Sequence, residues 1–262
     1  MRAEGAAFYS CSPSGNGVCY EPEICTDHRC IPRDRQSLRT CICQNHFHVF
    51  LNCRHSLDAL QQVEKEILDE HGSCTLLPGN AGNPDDVRKM FAIIESICPG
   101  LDVLVNNAGI SFVGLLQDMS DAQWSEILNT NLSSVFYCCR SAISHMVSQK
   151  SGKIINISSM WGTVGASCEA AYSATKSGMN GLTKALAKEL APSNVQVNAI
   201  ACGVIDTAMN AQFSEEEREA LREEIPAGRF ADSEEVAALA LTLASGHSYL
   251  TGQIIGLDGG YI

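Results

Sequence analysis

The chain has 262 residues, a net charge of −12 and a hydrophobic content of 45%, which suits one large domain or two small ones with a substantial core. The acidic charge disfavours nonspecific nucleic-acid binding. No apolar run approaches the roughly 18 residues of a membrane span. The N-terminus lacks the basic region followed by an apolar region that is typical of a signal peptide. We therefore expect neither a nucleic-acid partner nor a membrane partner.

The 13 cysteines are unevenly distributed along the chain. Six of them precede His46, at positions 11, 19, 25, 30, 41 and 43. Most of the others lie in apolar segments that resemble helices or strands, where a reduced cysteine is an ordinary small core residue. This distribution favours a reducing, cytoplasmic location over a disulfide scaffold.

From residue 48 onward, short apolar runs alternate with amphipathic helices. The predicted strands are HVFLNC (48–53), CTLLPG (74–79), LDVLVNNAG (101–109), GKIINISS (152–159), VQVNAIAC (195–202) and QIIGLDGG (253–260). The predicted helices cover 56–72, 85–97, 122–149, 170–191 and 234–246, with a further polar loop and helix after residue 202. This alternation predicts βαβ units and an α/β fold with a doubly wound parallel sheet.

Residues 1–47 break this pattern, because they show neither helical nor alternating periodicity and are rich in Cys, Pro, Ser, Gly and Arg. The change in composition is abrupt and falls near residues 46–49. We therefore predict an irregular N-terminal segment, 1–47, and one domain over 48–262.

Three residues with the spacing S-x12-Y-x3-K, Ser159, Tyr172 and Lys176, form the candidate catalytic set. Tyr and Lys four positions apart share one helical face, so the ammonium can stand beside the phenol. A free phenol has a pKa of about 10, and a neighbouring cation brings it closer to the working range of an acid or base. The alternative is a core tyrosine beside a solvated lysine, and the serine spacing and flanking motifs argue against it.

Together these motifs resemble the short-chain dehydrogenase/reductase family, which implies a Rossmann-like fold. The similarity extends over 48–262 and includes NNAG at 106–109, NTNLSSVF, VNAIACGVIDT and TGQIIGLDGG. It implies that Ser159, Tyr172, Lys176 and Asn131 are catalytic, with Asn131 holding a water in the proton relay. Cys202 replaces the proline of a usual Pro-Gly pair.

The resemblance also implies a nicotinamide cofactor. Arg54, just after the second family strand, suits the 2′-phosphate of NADP(H), whereas an acidic residue there would bind a free ribose. The preferred cofactor is thus NADP(H), with NAD(H) as the alternative. The full set of predicted cofactor-binding residues is Arg54, Asn80, Ala81, Asn106, Asn107, Ala108, Gly109, Tyr172, Lys176, Ile205 and Thr207.

Within the family, IPAGRFADSEEVA and the motifs above look most like 3-oxoacyl-acyl-carrier-protein reductases of fatty acid biosynthesis. The resemblance implies a small-molecule or carrier-linked carbonyl substrate and a homotetramer. Lys150 falls where such enzymes carry a basic contact to the acidic carrier protein. A sugar or alcohol dehydrogenase of the same family remains an alternative.

The glycine-rich phosphate loop of the family, TGxxxGIG, is missing. Its place reads HRCIPRDR (28–35), which lacks the glycines that let backbone amides approach a pyrophosphate. Codons read one base later permit TGASRGIGR, preceded by a strand and followed by a helix. We therefore predict that residues 20–46 are a frameshifted translation, that the first strand and helix are missing or replaced by an irregular segment, and that the chain lacks activity.

Two further interpretations of the chain are open. The first is a non-catalytic remnant, a dehydrogenase-like body that cannot hold a cofactor. The second is an N-terminal zinc module built from Cys41, Cys43, His46 and His48. These four residues are too close together for the usual loop between ligand pairs, so no metal site is predicted.

Overall fold

The computed structural model of the chain describes residues 6–9, 48–207 and 214–262. Seven strands form one sheet within these residues. They are β1 (Ala6–Tyr9), β2 (His48–Cys53), β3 (Ser73–Pro78), β4 (Val103–Asn106), β5 (Gly152–Ser159), β6 (Val195–Cys202) and β7 (Ile254–Leu257).

Helices connect the strands from β2 onward. They are α1 (Leu57–Asp69), α2 (Pro84–Ile97), α3 (Asp121–Leu128), α4 (Ser134–Gln149), α5 (Trp161–Val164), α6 (Ala170–Leu190), α7 (Glu215–Glu224) and α8 (Ser233–Ser245). The single long helix predicted over 122–149 is interrupted, because a π-helical turn at Asn129–Ser133 separates α3 from α4. None of the helices in the described part of the chain is long and apolar enough to span a membrane.

The sheet has the strand order β3-β2-β1-β4-β5-β6-β7. β2 pairs in parallel with β3, and β4, β5, β6 and β7 pair in parallel in succession. The longest register joins β5 to β6, from Gly152 opposite Val195 to Ser159 opposite Cys202. The predicted α/β, doubly wound architecture is therefore confirmed.

The centre of the sheet differs from the expectation. β1 lies between β2 and β4 and is antiparallel to both, with Ala6 opposite Asn52 and Tyr9 opposite Val103. The position expected to be empty or irregular is thus taken by a short apolar run, AAFY, which pairs backbone groups that β2 and β4 would otherwise leave at unpaired edges. The predicted irregular segment 1–47 is wrong at Ala6–Tyr9, which form β1. The rest of that segment, with the frameshift and the fate of the first helix, lies outside the described residues.

Helices cover both faces of the sheet. Alternate residues of β2 point to opposite faces, so Val49 and Leu51 belong to one core and Phe50 to the other. The first core is completed by α1 and α8, and the second by α2, α4 and α6. Cores on both sides explain why β5 and β6 are buried along almost their whole length.

Candidate active site

The carboxyl ends of β4, β5 and β6 meet at one edge of the sheet, where α/β proteins bind ligands. Ser159 ends β5 directly opposite Cys202, the last residue of β6. Its side chain is buried, and its Oγ accepts a hydrogen bond of 3.1 Å from the backbone N–H of Trp161. Because the oxygen accepts from Trp161, the hydroxyl proton is left to donate to another group.

Tyr172 and Lys176 lie in the first half of α6, which packs across this edge. Lys176 is 3% exposed, and its Nζ donates a hydrogen bond of 2.7 Å to the carbonyl oxygen of Ile157. The same Nζ lies 5.6 Å from the centroid of the Tyr172 ring. Burial lowers the pKa of Lys176 to about 8. The structure therefore brings the predicted ammonium and phenol together on one helical face.

Asn131 lies in the π-helical turn and is fully buried. Its Oδ1 accepts from the Ile110 N–H at 2.8 Å, and its amide donates to the Ile110 carbonyl at 2.9 Å. The amide also donates to Thr175 Oγ1, and the Thr175 hydroxyl donates to the Tyr172 carbonyl. Sequence analysis missed Thr175, which links Asn131 to α6; its position beside Lys176 was the available signal.

The loop that follows β4 approaches the site closely at Gly109. A Cβ placed on this glycine would lie 3.5 Å from Lys176 Nζ and 3.7 Å from Asn131 Oδ1. These are ordinary van der Waals distances, so the backbone here packs directly against both side chains. The predicted NNAG turn therefore reaches the same place as Lys176 and Asn131.

The other predicted cofactor-binding residues occupy different positions along the edge. Arg54 follows β2, and its Nη1 lies 3.4 Å from Glu126 Oε1 of α3. Asn80 shapes its own turn by accepting from the Gly82 N–H, beside the buried Ala81. Three of these residues are half-buried, namely Asn107, Ala108 and Thr207. Ile205 forms an isolated parallel β-bridge with Ala231.

Asn106 has a different environment from its neighbours. Its side chain is buried, and its amide donates to Asn156 Oδ1 of β5 at 2.8 Å. Asn156 in turn donates to Thr183 of α6. This chain of bonds fixes β4, β5 and α6 relative to one another, so a cofactor contact by the Asn106 side chain stays a prediction.

A nicotinamide dinucleotide fits one part of this edge better than the other. Ser159, Tyr172, Lys176 and the close backbone at Gly109 suit a nicotinamide riboside. A pyrophosphate needs a strand end followed by a helix N-terminus. In the centre of the sheet, β1 is antiparallel to β2, so the first residue of β1 and not its last lies at this edge. Ala6 pairs there with Asn52, near the end of β2. Within the described residues, β1 therefore supplies no phosphate cradle.

An apolar wall surrounds the tyrosine. Ile127, Ala171 and Tyr172 form a small buried cluster, and Ile110, Phe112, Met119 and Trp161 pack against it. Beside this wall, the hydroxyl of Ser111 donates to the Glu169 carboxylate at 2.5 Å. The sequence patterns gave no signal for this pair, because Ser111 lies outside the motifs and Glu169 falls at an unspecified position of S-x12-Y-x3-K.

Metal ligation receives no support from the described residues, which contain no group of three or more His, Cys, Asp or Glu side chains that could hold a metal ion. Both ring nitrogens of His48 are within hydrogen-bond distance of hydroxyl groups, Ser73 Oγ at 2.6 Å and Thr75 Oγ1 at 2.8 Å. Cys41, Cys43 and His46 lie outside the described part of the chain.

Comparison with known proteins adds to this geometry. Residues 45–262 match the family described as Enoyl-(Acyl carrier protein) reductase. The 3-oxoacyl-acyl-carrier-protein reductase FabG of Aquifex aeolicus (strain VF5) is 42% identical over 200 residues, which are 76% of this chain and 81% of that relative.

Two solved structures are similar in fold and in sequence. A short-chain alcohol dehydrogenase from Sinorhizobium meliloti 1021 aligns with a TM-score of 0.79 and 33% identity, over 87% of this chain and 91% of the other. A protein from Agrobacterium tumefaciens, described as a gluconate dehydrogenase, aligns with a TM-score of 0.76 and 31% identity, over 81% and 85%. The chain therefore belongs to the short-chain dehydrogenase/reductase family of NAD(P)-dependent oxidoreductases.

Proposed function

We propose that this site reduces the carbonyl of a 3-oxoacyl thioester with NADP(H). The single observation that carries the proposal is the buried Lys176 ammonium, 5.6 Å from the Tyr172 ring and on the same helical face. A buried cation beside a phenol favours the phenolate, which makes Tyr172 a better proton donor and acceptor near neutral pH.

Each side chain has a role in this reaction. When bound, the nicotinamide supplies the hydride to the carbonyl carbon. Ser159 orients the carbonyl oxygen by donating its hydroxyl proton, since its lone pair accepts from Trp161. Tyr172 donates a proton to that oxygen, and Lys176 binds the ribose. Asn131 completes the proton relay to Lys176 through a water.

The preference for NADP(H) rests on Arg54. Its position after β2 suits a 2′-phosphate, but its guanidinium is 3.4 Å from the Glu126 carboxylate. The two side chains are 32% and 39% exposed, so this ion pair is weak and open to exchange. A phosphate dianion can therefore compete with Glu126 for Arg54.

The substrate is proposed from a relative, and the assembly from the surface of this chain. The Aquifex aeolicus relative is named for its 3-oxoacyl-carrier substrate, and the exposed Lys150 at the end of α4 suits an acidic carrier protein. An exposed apolar groove between α4 and α6 supports a homotetramer. The proposed setting is cytoplasmic fatty acid biosynthesis. The groove is lined by Phe136, Cys139, Arg140, Ile143, Leu182 and Leu186.

Two alternatives have some support. The antiparallel β1 favours a non-catalytic body, because a strand that runs this way cannot end in a phosphate loop at the ligand-binding edge. The likeness to an alcohol dehydrogenase from Sinorhizobium meliloti 1021 favours an alcohol or sugar substrate instead of an acyl thioester.

Calorimetry with NADPH tests the proposal on two chains, the unaltered chain and one in which the shifted frame over 20–46 is restored. We expect undetectable binding by the first and ordinary affinity for the second, because the restored glycines provide the amide cradle. Equal affinities would contradict the loss of the loop. A restored chain that binds NADPH but does not oxidise it with acetoacetyl thioesters, and oxidises it with simple ketones or sugars, would support the alternative substrate class.

A further inference from the structure

Three consecutive residues after β4 contact three different residues around the site. The Gly109 backbone packs near Lys176 Nζ, the Ile110 backbone binds Asn131, and the Ser111 hydroxyl donates to the Glu169 carboxylate at 2.5 Å. Because the first two contacts lie within the candidate site, the third places Glu169 at its border. The loop is fixed a second time nearby, since the Gly114 N–H donates to the Cys168 carbonyl at 2.8 Å.

Glu169 is the N-cap residue of α6, three positions before Tyr172. Positions three apart lie on the same side of a helix, so the side chains of Glu169 and Tyr172 leave the start of α6 on the same side. The Glu169 side chain makes no capping bond to the helix backbone. It is half-buried and turned toward Ser111 instead. The loop therefore holds one acidic group beside the tyrosine.

The hydrophobic side chains packed around Tyr172 are Ile110, Phe112, Met119 and Trp161, and the buried Lys176 is the cation beside its ring. Poorly hydrated surroundings strengthen the repulsion between Glu169 and any anion that enters. An uncharged ester or thioester meets no such repulsion, whereas a free carboxylate close to the reacting carbonyl does.

We infer that Ser111 and Glu169 form a charge filter at the mouth of the site, which admits neutral 3-oxo esters and thioesters and rejects the corresponding free acids. The preference between substrates rests on the proposed function. The repulsion of small anions by Glu169 does not depend on the proposed function. The substrate preference and this repulsion can therefore be measured separately.

The first measurement needs no turnover, because the exposed thiol of Cys168 adjoins Glu169 and reports the local charge. Its alkylation by iodoacetamide and by iodoacetate is followed by mass spectrometry of the peptide that contains it. Glu169→Gln keeps an oxygen that accepts from Ser111 but removes the charge. We expect it to raise the iodoacetate-to-iodoacetamide rate ratio about two- to five-fold at low ionic strength, with the gain shrinking in high salt.

Two control variants separate charge from structure. Glu95→Gln removes the same charge from an exposed position near the end of α2 and should leave the ratio unchanged. Ser111→Ala keeps the carboxylate but removes the bond that holds it, so its ratio should lie between those of the wild type and of Glu169→Gln. A Glu169→Gln ratio equal to that of the wild type would overturn the inference, whether or not the enzyme turns over.

The second measurement uses the frame-restored chain and compares kcat/KM for ethyl acetoacetate and acetoacetate, with NADPH as reductant. In Glu169→Gln we expect the ester-to-acid ratio to fall at least two-fold, because the acid gains access. An active enzyme with an unchanged ratio would also overturn the inference. Absence of turnover with both substrates in every variant would count against the proposed function, and the alkylation ratio would then decide the inference.

Discussion

Asn131 holds the backbone of Ile110 by both of its polar groups, through an N–H bond of 2.8 Å to Asn131 Oδ1 and an amide bond of 2.9 Å to the Ile110 carbonyl. This pairing joins the π-helical turn between α3 and α4 to the loop after β4. Since Gly109 precedes Ile110 and packs near Lys176, the pairing also determines how close the loop backbone comes to the ammonium.

Replacing Asn131 by Ala should destabilise the protein by about 2–4 kcal/mol, because the Ile110 N–H and carbonyl lose their partners in a buried place. Chemical denaturation measures the free energy of unfolding. The matched control is Asn129→Ala in the same turn, where the side chain is exposed and a change within about 0.5 kcal/mol is expected. Similar losses in both variants would show that the turn, and not the Ile110 pairing, carries the stability.

Tyr172→Phe in the frame-restored chain should abolish turnover while leaving NADPH binding largely intact. The phenol is the proposed proton donor beside Lys176, and loss of a general acid costs about 10²–10⁴-fold in rate. Steady-state kinetics and calorimetry give the two readouts. Tyr137→Phe, a hydroxyl deletion in α4, is the control and should retain activity. Retention of more than about a tenth of kcat in Tyr172→Phe would refute the role.

Lys176 should make stability depend on pH. Burial lowers its pKa from 10.5 to about 8, so between these pH values the unfolded chain binds more protons than the folded one. The contribution of Lys176 to stability therefore rises as the pH increases through this window. Between pH 8 and pH 10.5, the free energy of unfolding of the wild type should increase on the order of 3 kcal/mol relative to that of Lys176→Met.

The control for this titration is Lys188→Met, which removes an exposed lysine from the same helix. Denaturation at several pH values should show little relative change between this variant and the wild type. If Lys176→Met and the wild type followed parallel curves across the window, the ammonium would not be desolvated in the folded state.

Arg54→Asp should shift preference from NADPH toward NADH in the frame-restored chain, because an acidic residue repels the 2′-phosphate and accepts from a ribose hydroxyl. Glu126→Gln is the opposite test. It releases Arg54 from its 3.4 Å contact and should increase the preference for NADPH. The ratio of kcat/KM for the two cofactors is the measurement. A ratio unchanged in both variants would show that Arg54 is merely solvated.

The antiparallel β1 should protect the amides that face it on both neighbouring strands, Val49–Asn52 of β2 and Val103–Val105 of β4. Deleting residues 1–9 should speed hydrogen exchange at these positions, because they would become unpaired edges. The amides of β6, held between β5 and β7, serve as the internal control. Equal protection in β2 and β4 with and without residues 1–9 would argue against this pairing in solution.

Much of the fold follows from local patterns. The periodic helices and apolar strands from residue 48 onward predicted the doubly wound sheet, because burial on both faces requires continuous apolar strands. The S-x12-Y-x3-K spacing also predicted the Tyr172–Lys176 neighbourhood, since four helical residues bring two side chains to one face. These relations are short in sequence, so the sequence by itself determined them.

The tertiary structure decided the relations between distant segments. The polarity of β1 depends on which backbone edges β2 and β4 leave to be paired, and AAFY carries no signal for direction. The burial that lowers the Lys176 pKa involves segments outside its helix, among them Ile157 of β5, whose carbonyl accepts from Nζ, and the loop at Gly109. The Ser111–Glu169 bond joins residues 58 positions apart. No periodicity encodes such a pair, because it forms when the loop after β4 packs against the start of α6.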